Sequence, residues 1–270
     1  MIINKQWRIL TIGDGDLSFS NALFKHHQPA SLTATVYDSL ETMSDKYGDH
    51  FYQQLKAQNT SVFFEFDVCN ANSWPATVKE CFDLVIFQFP LLPAFSSVDE
   101  YQARCSKTNI NILNRRLLRD FLINSFNHFL DPNGQQLCFI TSKDVKPYRQ
   151  WNIENALNLQ TDIHYLGSIP FDISMFPGYK IRNVDRDKHV KDTKGLTYVW
   201  SKQKQQTIID KLQPAQYQQS NYCTACRAGP FSTEFDRIEH EQAKKHLTMM
   251  QFEKLWLENI ENELSMQKEV

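Results

Sequence analysis

The apolar run Arg8–Ile12 leads directly into Gly13-Asp14-Gly15-Asp16-Leu17-Ser18, and a helical pattern begins at Ser18. A glycine turn between a first strand and a helix lets the backbone come close to a nucleotide-like ligand and aims the helix N-terminus at it. The dinucleotide fingerprint wants a third glycine where Ser18 stands. Asp38 closes a second apolar run, where a carboxylate can bind ribose hydroxyls. Asp67 closes a third, where it can accept a hydrogen bond from an adenine amino group. Asp14 and Asp16 would repel a pyrophosphate but suit a sulfonium cation, since opposite charges attract. Together these residue types favour S-adenosylmethionine over a nicotinamide dinucleotide. The plainer alternative is that the four aspartates cap helices and turns, as aspartate commonly does.

A second set with chemistry lies near the end of the chain. Cys223 and Cys226 are followed after thirteen residues by His240 and after five more by His246. The pattern C-x2-C-x13-H-x5-H falls within the ranges of a tetrahedral zinc site. Ser232 and Thr233 can cap a helix starting at about Thr233. Two histidines six apart on that helix converge on one metal only if it bends or unwinds between them. The competing reading is two free thiols and two surface histidines.

Positioning these residues takes a framework. Strand-like runs at Arg8–Ile12, Leu32–Tyr37, Val62–Phe66, Phe82–Phe87 and Gln136–Thr141 alternate with helical patterns at Ser18–Lys25, Glu41–Ala57, Ser73–Glu80 and Ile110–Leu130. Such alternation predicts an α/β fold, a mostly parallel sheet with helices on both faces, because parallel strands need long crossovers. The strands are continuous apolar runs, as expected of strands buried on both sides. A helix at about Trp151–Leu159 and strands at Ile163–Ile169 and Leu196–Trp200 follow. The expected organisation is a domain over 1–201, a polar, glutamine-rich linker over 202–221, and a Cys/His unit with an amphipathic helix over 222–266.

The 270 residues carry 29 Lys+Arg against 31 Asp+Glu, with 41% apolar and 22% charged residues. These proportions exclude a disordered or fibrous chain as a whole. No run reaches the roughly 20 apolar residues of a membrane helix, and the start, MIINKQWRILTIG, enters a strand without a cleavage-site pattern. The expected location is cytoplasmic, or nucleolar or nuclear in a eukaryotic source. Cys69, Cys81, Cys105 and Cys138 stand singly among apolar neighbours and are expected to be buried thiols. Residues 1–100 hold 6 basic and 12 acidic side chains, whereas residues 101–200 hold 14 and 9. Arg104, Lys107, Arg115, Arg116 and Arg119, and the stretch Lys180–Lys194, are therefore candidate phosphate-binding patches.

The runs ILTIGDGDLSFSNAL, TATVYDS, FDVCN, FDLVIFQFP, NRRLLRDFL, KPYRQWNI and PFDISMFPGYK, in this order over roughly residues 7 to 183, carry a resemblance. They resemble the large-subunit (25S-type) ribosomal RNA (uridine-N3) methyltransferase family and its Rossmann-like domains, most specifically through GDGDLSFS and PFDISMFPGY. The resemblance implies a class I methyltransferase fold that binds S-adenosylmethionine at Gly13, Asp14, Gly15, Asp16 and Leu17, at Asp38 and at Asp67, and that methylates N3 of a uridine in RNA. The chain departs from the pattern in having Gln88-Phe89-Pro90-Leu91 in place of Asn-Phe-Pro-His, and Leu17 in place of Phe. Tyr222–Leu247 is similar to U1-like zinc fingers, which bind double-stranded RNA.

Methyl transfer is an in-line displacement, so the protein mainly supplies alignment and a dry pocket. Gln88 is the candidate for hydrogen bonding to the base edge, Phe89 for stacking on it, and Pro90 completes the catalytic loop. N3 of uracil must lose a proton, for which Asp14 or Asp16 is the candidate base. The loop with Phe176, Pro177, Gly178, Tyr179, Lys180 and Arg182 is expected to form a rim that grips RNA. The competing class is a non-catalytic RNA-binding protein; a nicotinamide-dependent dehydrogenase is disfavoured by Ser18.

Overall fold

The computed structural model describes residues 1–93, 97–106, 108–182 and 194–268. Seven strands, β1 (Arg8–Ile12), β2 (Ser31–Thr35), β3 (Ser61–Phe63), β4 (Leu84–Gln88), β5 (Leu137–Lys143), β6 (His164–Pro170) and β7 (Gly195–Ser201), form one sheet in the order β3-β2-β1-β4-β5-β7-β6. The first five run parallel; β7 is antiparallel to both β5 and β6. This is the α/β architecture expected, a class I methyltransferase sheet. Ile9 pairs with Leu32 on one side and Leu84 on the other, so the chain leaves β1 in both directions and opens a crevice at the carboxyl ends of β1 and β4.

Alternate strand residues feed two cores, which is why the runs are apolar throughout. Leu10, Ile12, Val85, Phe87 and Ile140 pack with Leu118, Phe121 and Leu122. Ile9, Leu84, Ile86, Leu137 and Phe139 face the other way, onto Phe19, Leu23, Met43 and Leu55. The helices that supply these residues are α1 (Ser18–His27), α2 (Leu40–Tyr47), α3 (His50–Ala57) and, after α4 (Val98–Cys105), α5 (Ile110–Asn124). Beyond them lie α6 (Ile153–Ala156), α7 (Gln206–Ile209), α8 (Glu234–Gln242) and α9 (Lys244–Lys268). None of the described helices is long and apolar enough to cross a membrane.

Several expectations are corrected. The single helix over Glu41–Ala57 is two, because Gly48 leaves α2 at φ +76°. The helix over Ser73–Glu80 is two short 3-10 turns, Ala71–Ser73 and Ala76–Val78, separated at Pro75, whose ring cannot continue a helix. The helix over Trp151–Leu159 is confined to a turn, Tyr148–Trp151, and the four residues of α6. Strands β2 and β3 end early, so Asp38 and Asp67 lie in the loops beyond Thr35 and Phe63, not at the strand tips. Of the four single cysteines only Cys138 is buried, while Cys69 is exposed.

The arginine cluster is not a phosphate-facing surface. Arg115 and Arg119 are 0% and 1% exposed. Arg115 donates to Glu253 of α9 at 2.6 Å and to the Gln150 carbonyl at 2.7 Å. Arg119 donates to the Leu157 and Leu159 carbonyls, each at 2.8 Å, and faces Glu263. Arg116 bonds Asn259. The acidic face of α9 thus takes up the basic face of α5, with Trp256 and Ile260 buried against Ile112 and Ala156. The side chains of Arg104 and Lys107, and residues 183–193 of the other patch, lie outside the described residues.

Candidate functional site

A cavity of about 540 Å³ occupies the crevice at the ends of β1 and β4. It is lined by Gly13–Asp16 of the loop after β1, Tyr37 and Asp38 after β2, Phe66–Cys69 after β3, and Phe87–Pro93 at and beyond the end of β4. Tyr47 of α2 and the strap residues Tyr179–Arg182 close the near side. The cavity therefore gathers the proposed cofactor residues Gly13, Asp14, Gly15, Asp16, Asp38 and Asp67, and the proposed catalytic residues Gln88, Phe89 and Pro90. Leu17 is the exception: it is fully buried in the core beneath the loop and is not among the lining residues.

The loop after β1 is held by its own carboxylates. Gly13 sits at φ +62°, and the Asp14 amide donates to the Thr35 carbonyl at 2.9 Å. Asp14 Oδ2 accepts from the Ser20 amide at 2.7 Å, and Asp16 Oδ1 from the Ser18 amide at 3.0 Å. Both therefore cap the first turn of α1, where unsatisfied amides and the helix dipole favour negative charge. The two differ beyond that. Asp16 Oδ2 lies 2.6 Å from Nε of Arg182, whose guanidinium also stacks on Tyr47 at 5.3 Å. Asp14 has no cationic partner among the described residues; burial first, then the charge of Asp16, pushes its carboxyl above the ordinary carboxylate range.

Across the cavity, Asp38 pairs with Lys46 of α2 at 3.0 Å. Asp67 Oδ1 accepts from the Cys69 amide at 2.8 Å, and its carbonyl accepts from Trp74 Nε1 at 2.7 Å. At the end of β4, Phe89 adopts a left-handed backbone at φ +47°, which costs a non-glycine residue about 1–3 kcal/mol and persists only where the surroundings impose it. The Phe89 amide is fixed to the Thr141 carbonyl at 2.8 Å, and its ring meets Phe171 edge-on at 5.4 Å. Next to it, both side-chain polar atoms of Gln88 are buried without a partner among the described residues. Buried polar atoms are nearly always paired, which makes this amide a candidate contact for a molecule bound in the cavity.

The strap anticipated as an outer rim is tied into the site. Phe176 and Tyr179 pack on Phe19 at 5.0 and 5.2 Å, and the Lys180 amide donates to Ser18 Oγ at 3.1 Å. Among the lining residues that escape the sequence reading are Tyr37, whose adjacency to Asp38 was the one available signal, Tyr47, hidden inside what reads as a continuous helix, and Glu100 of α4.

The Cys/His unit assembles a second centre. The ligand atoms of Cys223, Cys226, His240 and His246 all lie within 4.8 Å of one another. Nδ1 of His246 is 3.5 Å from Sγ of Cys223, 3.6 Å from Sγ of Cys226 and 3.1 Å from Nε2 of His240. The required bend is present: α8 begins with a Thr233/Asp236 capping box and ends at Gln242, and Ala243 is extended before α9 restarts.

Comparison with known proteins gives this geometry a setting. A curated Arabidopsis thaliana protein, "Heavy metal-associated isoprenylated plant protein 41", is 26% identical over 181 residues; the match takes in 66% of this chain but only 33% of that protein. Among solved structures, the Bacillus subtilis "M1A22 tRNA methyltransferase TrmK" shares 11% identity at a TM-score of 0.43, covering 95% of this chain and 93% of its own. "M. jannaschii TYW2 in complex with AdoMet" shares 12% at 0.38, covering 74% and 69%. The family model described as "BMT5-like: rRNA (uridine-N3-)-methyltransferase BTM5-like" matches residues 10–183, which hold the whole cavity from the glycine loop to the strap; the chain belongs to that family.

Proposed function

We propose that this protein is an S-adenosylmethionine-dependent RNA methyltransferase acting on N3 of an unpaired uridine, with ribosomal RNA as the substrate. The observation that carries the reading is the Gln88 amide, buried and unpartnered in the same cavity as the glycine loop. The donor set fits S-adenosylmethionine. Gly13 lines the cavity with bare backbone and has no room for a side chain, since a Cβ there would lie 2.9 Å from the Phe87 ring. Asp38 suits the ribose hydroxyls and Asp67 the adenine amino group, while Asp14 and Asp16 favour a cation in the adjoining space. The donor supplies an electrophilic methyl group with a neutral leaving group. The chain's task is alignment: Gln88 hydrogen-bonds the edge of the base, Phe89 and Pro90 wall its plane, and the Tyr179–Arg182 strap excludes water.

The Cys/His unit is proposed to hold zinc through Cys223, Cys226, His240 and His246. Bonds of about 2.3 Å to sulfur and about 2.0 Å to nitrogen at tetrahedral angles separate S and N by about 3.5 Å, which supports this assignment against the distances above. The organisation proposed is a methyltransferase domain over 1–201, a connecting segment over 202–221 and a zinc unit over 222–266. An RNA of this class would place the protein in the cytoplasm or nucleolus.

Incubation with methyl-labelled donor and unmodified ribosomal RNA, followed by nucleoside mass spectrometry, is expected to yield 3-methyluridine. Donor binding without transfer to any RNA would favour the non-catalytic RNA-binding alternative, and absence of donor binding would refute both the cofactor and the activity. Metal analysis is expected to find one zinc per chain, lost in Cys223→Ser.

A further inference from the structure

We propose that Asp14, not Asp16, is the catalytic base that removes the proton from the ring nitrogen of the substrate, and that Arg182 withdraws Asp16 from this role. The assignment rests on the methyl-transfer reading of the site.

The two aspartates are two residues apart, line the same cavity and are equally buried, at 7% and 4% exposure. Their partners separate them. Both oxygens of Asp16 are engaged, Oδ1 by the Ser18 amide and Oδ2 by the Arg182 guanidinium at 2.6 Å. With one oxygen on a backbone amide and the other in a charge-assisted bond, Asp16 is committed to holding the loop and the strap together. Asp14 is held by neutral donors only, the Ser20 amide on Oδ2 with the Phe19 amide and the Ser20 hydroxyl beside it, and no cation among the described residues neutralises it. It also lies on the loop whose Gly13 abuts the ring of Phe87, one residue before Gln88. The base candidate and the amide proposed to read the substrate therefore face one space.

Uracil N3 carries a proton, and its electron pair is delocalised into two flanking carbonyls until that proton leaves. In the proposed step the proton passes to Oδ1 of Asp14. The freed pair on nitrogen forms the new bond to the donor's methyl carbon, while the sulfur–carbon pair stays on sulfur and leaves a neutral thioether. Asp14 then returns the proton to water. Burial and the nearby charge of Asp16 hold the Asp14 carboxyl above its ordinary range, towards the values at which general bases work best near neutral pH. The titratable and charged side chains that share its cavity are Asp16 on its own loop, Tyr37 and Asp38 after β2, Tyr47 on α2, Asp67 and Cys69 after β3, Glu100 on α4, and Tyr179, Lys180 and Arg182 on the strap.

The test uses the full chain with its bound metal, labelled donor and unmodified ribosomal RNA. Asp14→Asn keeps an oxygen for the Ser20 amide and removes the basicity together with the negative charge, and the neutral thioether S-adenosylhomocysteine reads binding without the charge attraction. The variant is expected to lower kcat by about 100- to 10,000-fold, to erase the pH inflection of the wild type, and to leave calorimetric affinity for S-adenosylhomocysteine within a few-fold. Asp16→Asn is expected to act on donor KM and to keep the inflection. Carboxyl-carbon NMR of the ligand-free protein, assigned by difference from Asp14→Asn, should show Asp14 titrating above the ordinary aspartate range. An active wild type whose Asp14→Asn variant keeps a tenth of kcat, or an Asp14 that titrates as an ordinary aspartate, overturns the assignment alone. A variant that loses S-adenosylhomocysteine affinity in parallel with rate makes Asp14 a cofactor contact and also overturns it. A wild type that binds donor but methylates no RNA overturns the underlying reading, and the assignment with it.

Discussion

At the residue scale, Gly13 and Gly15 look equivalent in the sequence and are not. Gly13 occupies φ +62° and has no room for a methyl group beside Phe87, whereas the nearest atom to a Cβ at Gly15 is the Tyr47 ring at 3.9 Å, an ordinary contact. Gly13→Ala is expected to destabilise the fold by about 1–3 kcal/mol through its left-handed backbone and to weaken donor binding at least tenfold; Gly15→Ala should fold as the wild type does. Thermal unfolding and calorimetry read both. At the opposite end of the sheet, burial alone would raise the Asp83 carboxyl, but hydrogen bonds from the Arg8 side chain and amide and from the Gln135 amide outweigh it and hold the group below the usual range. A depressed carboxylate stabilises the fold above its unfolded pKa, and that contribution is lost as pH falls through the folded one. Asp83→Asn should therefore cost about 1.5–3 kcal/mol at pH 7, with the gap from wild type closing in acid; a deficit that persists unchanged at low pH would show that charge is not its cause. The positions of Asp14, Asp16, Asp38, Asp67 and Gln88 were legible because each lies within a few residues of a strand end. The split between Asp14 and Asp16 was not, since it depends on Arg182, more than 160 residues away.

At the element scale, what sequence reveals is periodicity, and what it hides is the partner of each face. The five parallel strands were readable because a strand covered on both sides must be apolar throughout. The arginines of α5 were misread because a row of basic residues looks the same whether it meets phosphate or the carboxylates of α9. That helix closes a small cluster of its own: Trp256 is fully buried among Ile112, Ala156 and Ile260, and its Nε1 donates to the Ala156 carbonyl at 2.8 Å. Trp256→Ala removes this packing and leaves a buried carbonyl unpaired, so a loss of about 3–5 kcal/mol is expected. Denaturant titration should show it as a lowered midpoint. An unchanged midpoint would mean that α9 does not contribute to the stability of the body.

At the scale of the whole molecule, part of the charge is neutralised inside the fold, where Arg115 and Arg119 of α5 pair with Glu253 and Glu263 of α9. The Cys/His unit joins the body by the same kind of contact. Arg227 follows Cys226 directly, in a left-handed turn at φ +50°. Its guanidinium reaches Asp144, just past the end of β5, at 2.9 Å and Glu154 of α6 at 3.2 Å, and stacks on Tyr217 at 4.8 Å. Glu154 is 6% exposed, so deleting Arg227 strands a buried charge, a loss that typically costs about 3–5 kcal/mol. The turn that aims Arg227 is the one that brings Cys223 and Cys226 together, closed by reciprocal backbone bonds between Cys223 and Ala228. A metal that fixes the two thiolates therefore also fixes the clamp. Two treatments should then converge on one phenotype. Chelation of the metal and Arg227→Ala are each expected to lower the unfolding temperature of the body, and Arg227→Ala should do so while retaining zinc. If chelation leaves the melting of the body untouched while Arg227→Ala lowers it, the clamp is independent of the metal, and the Cys/His centre organises only its own turn and helices.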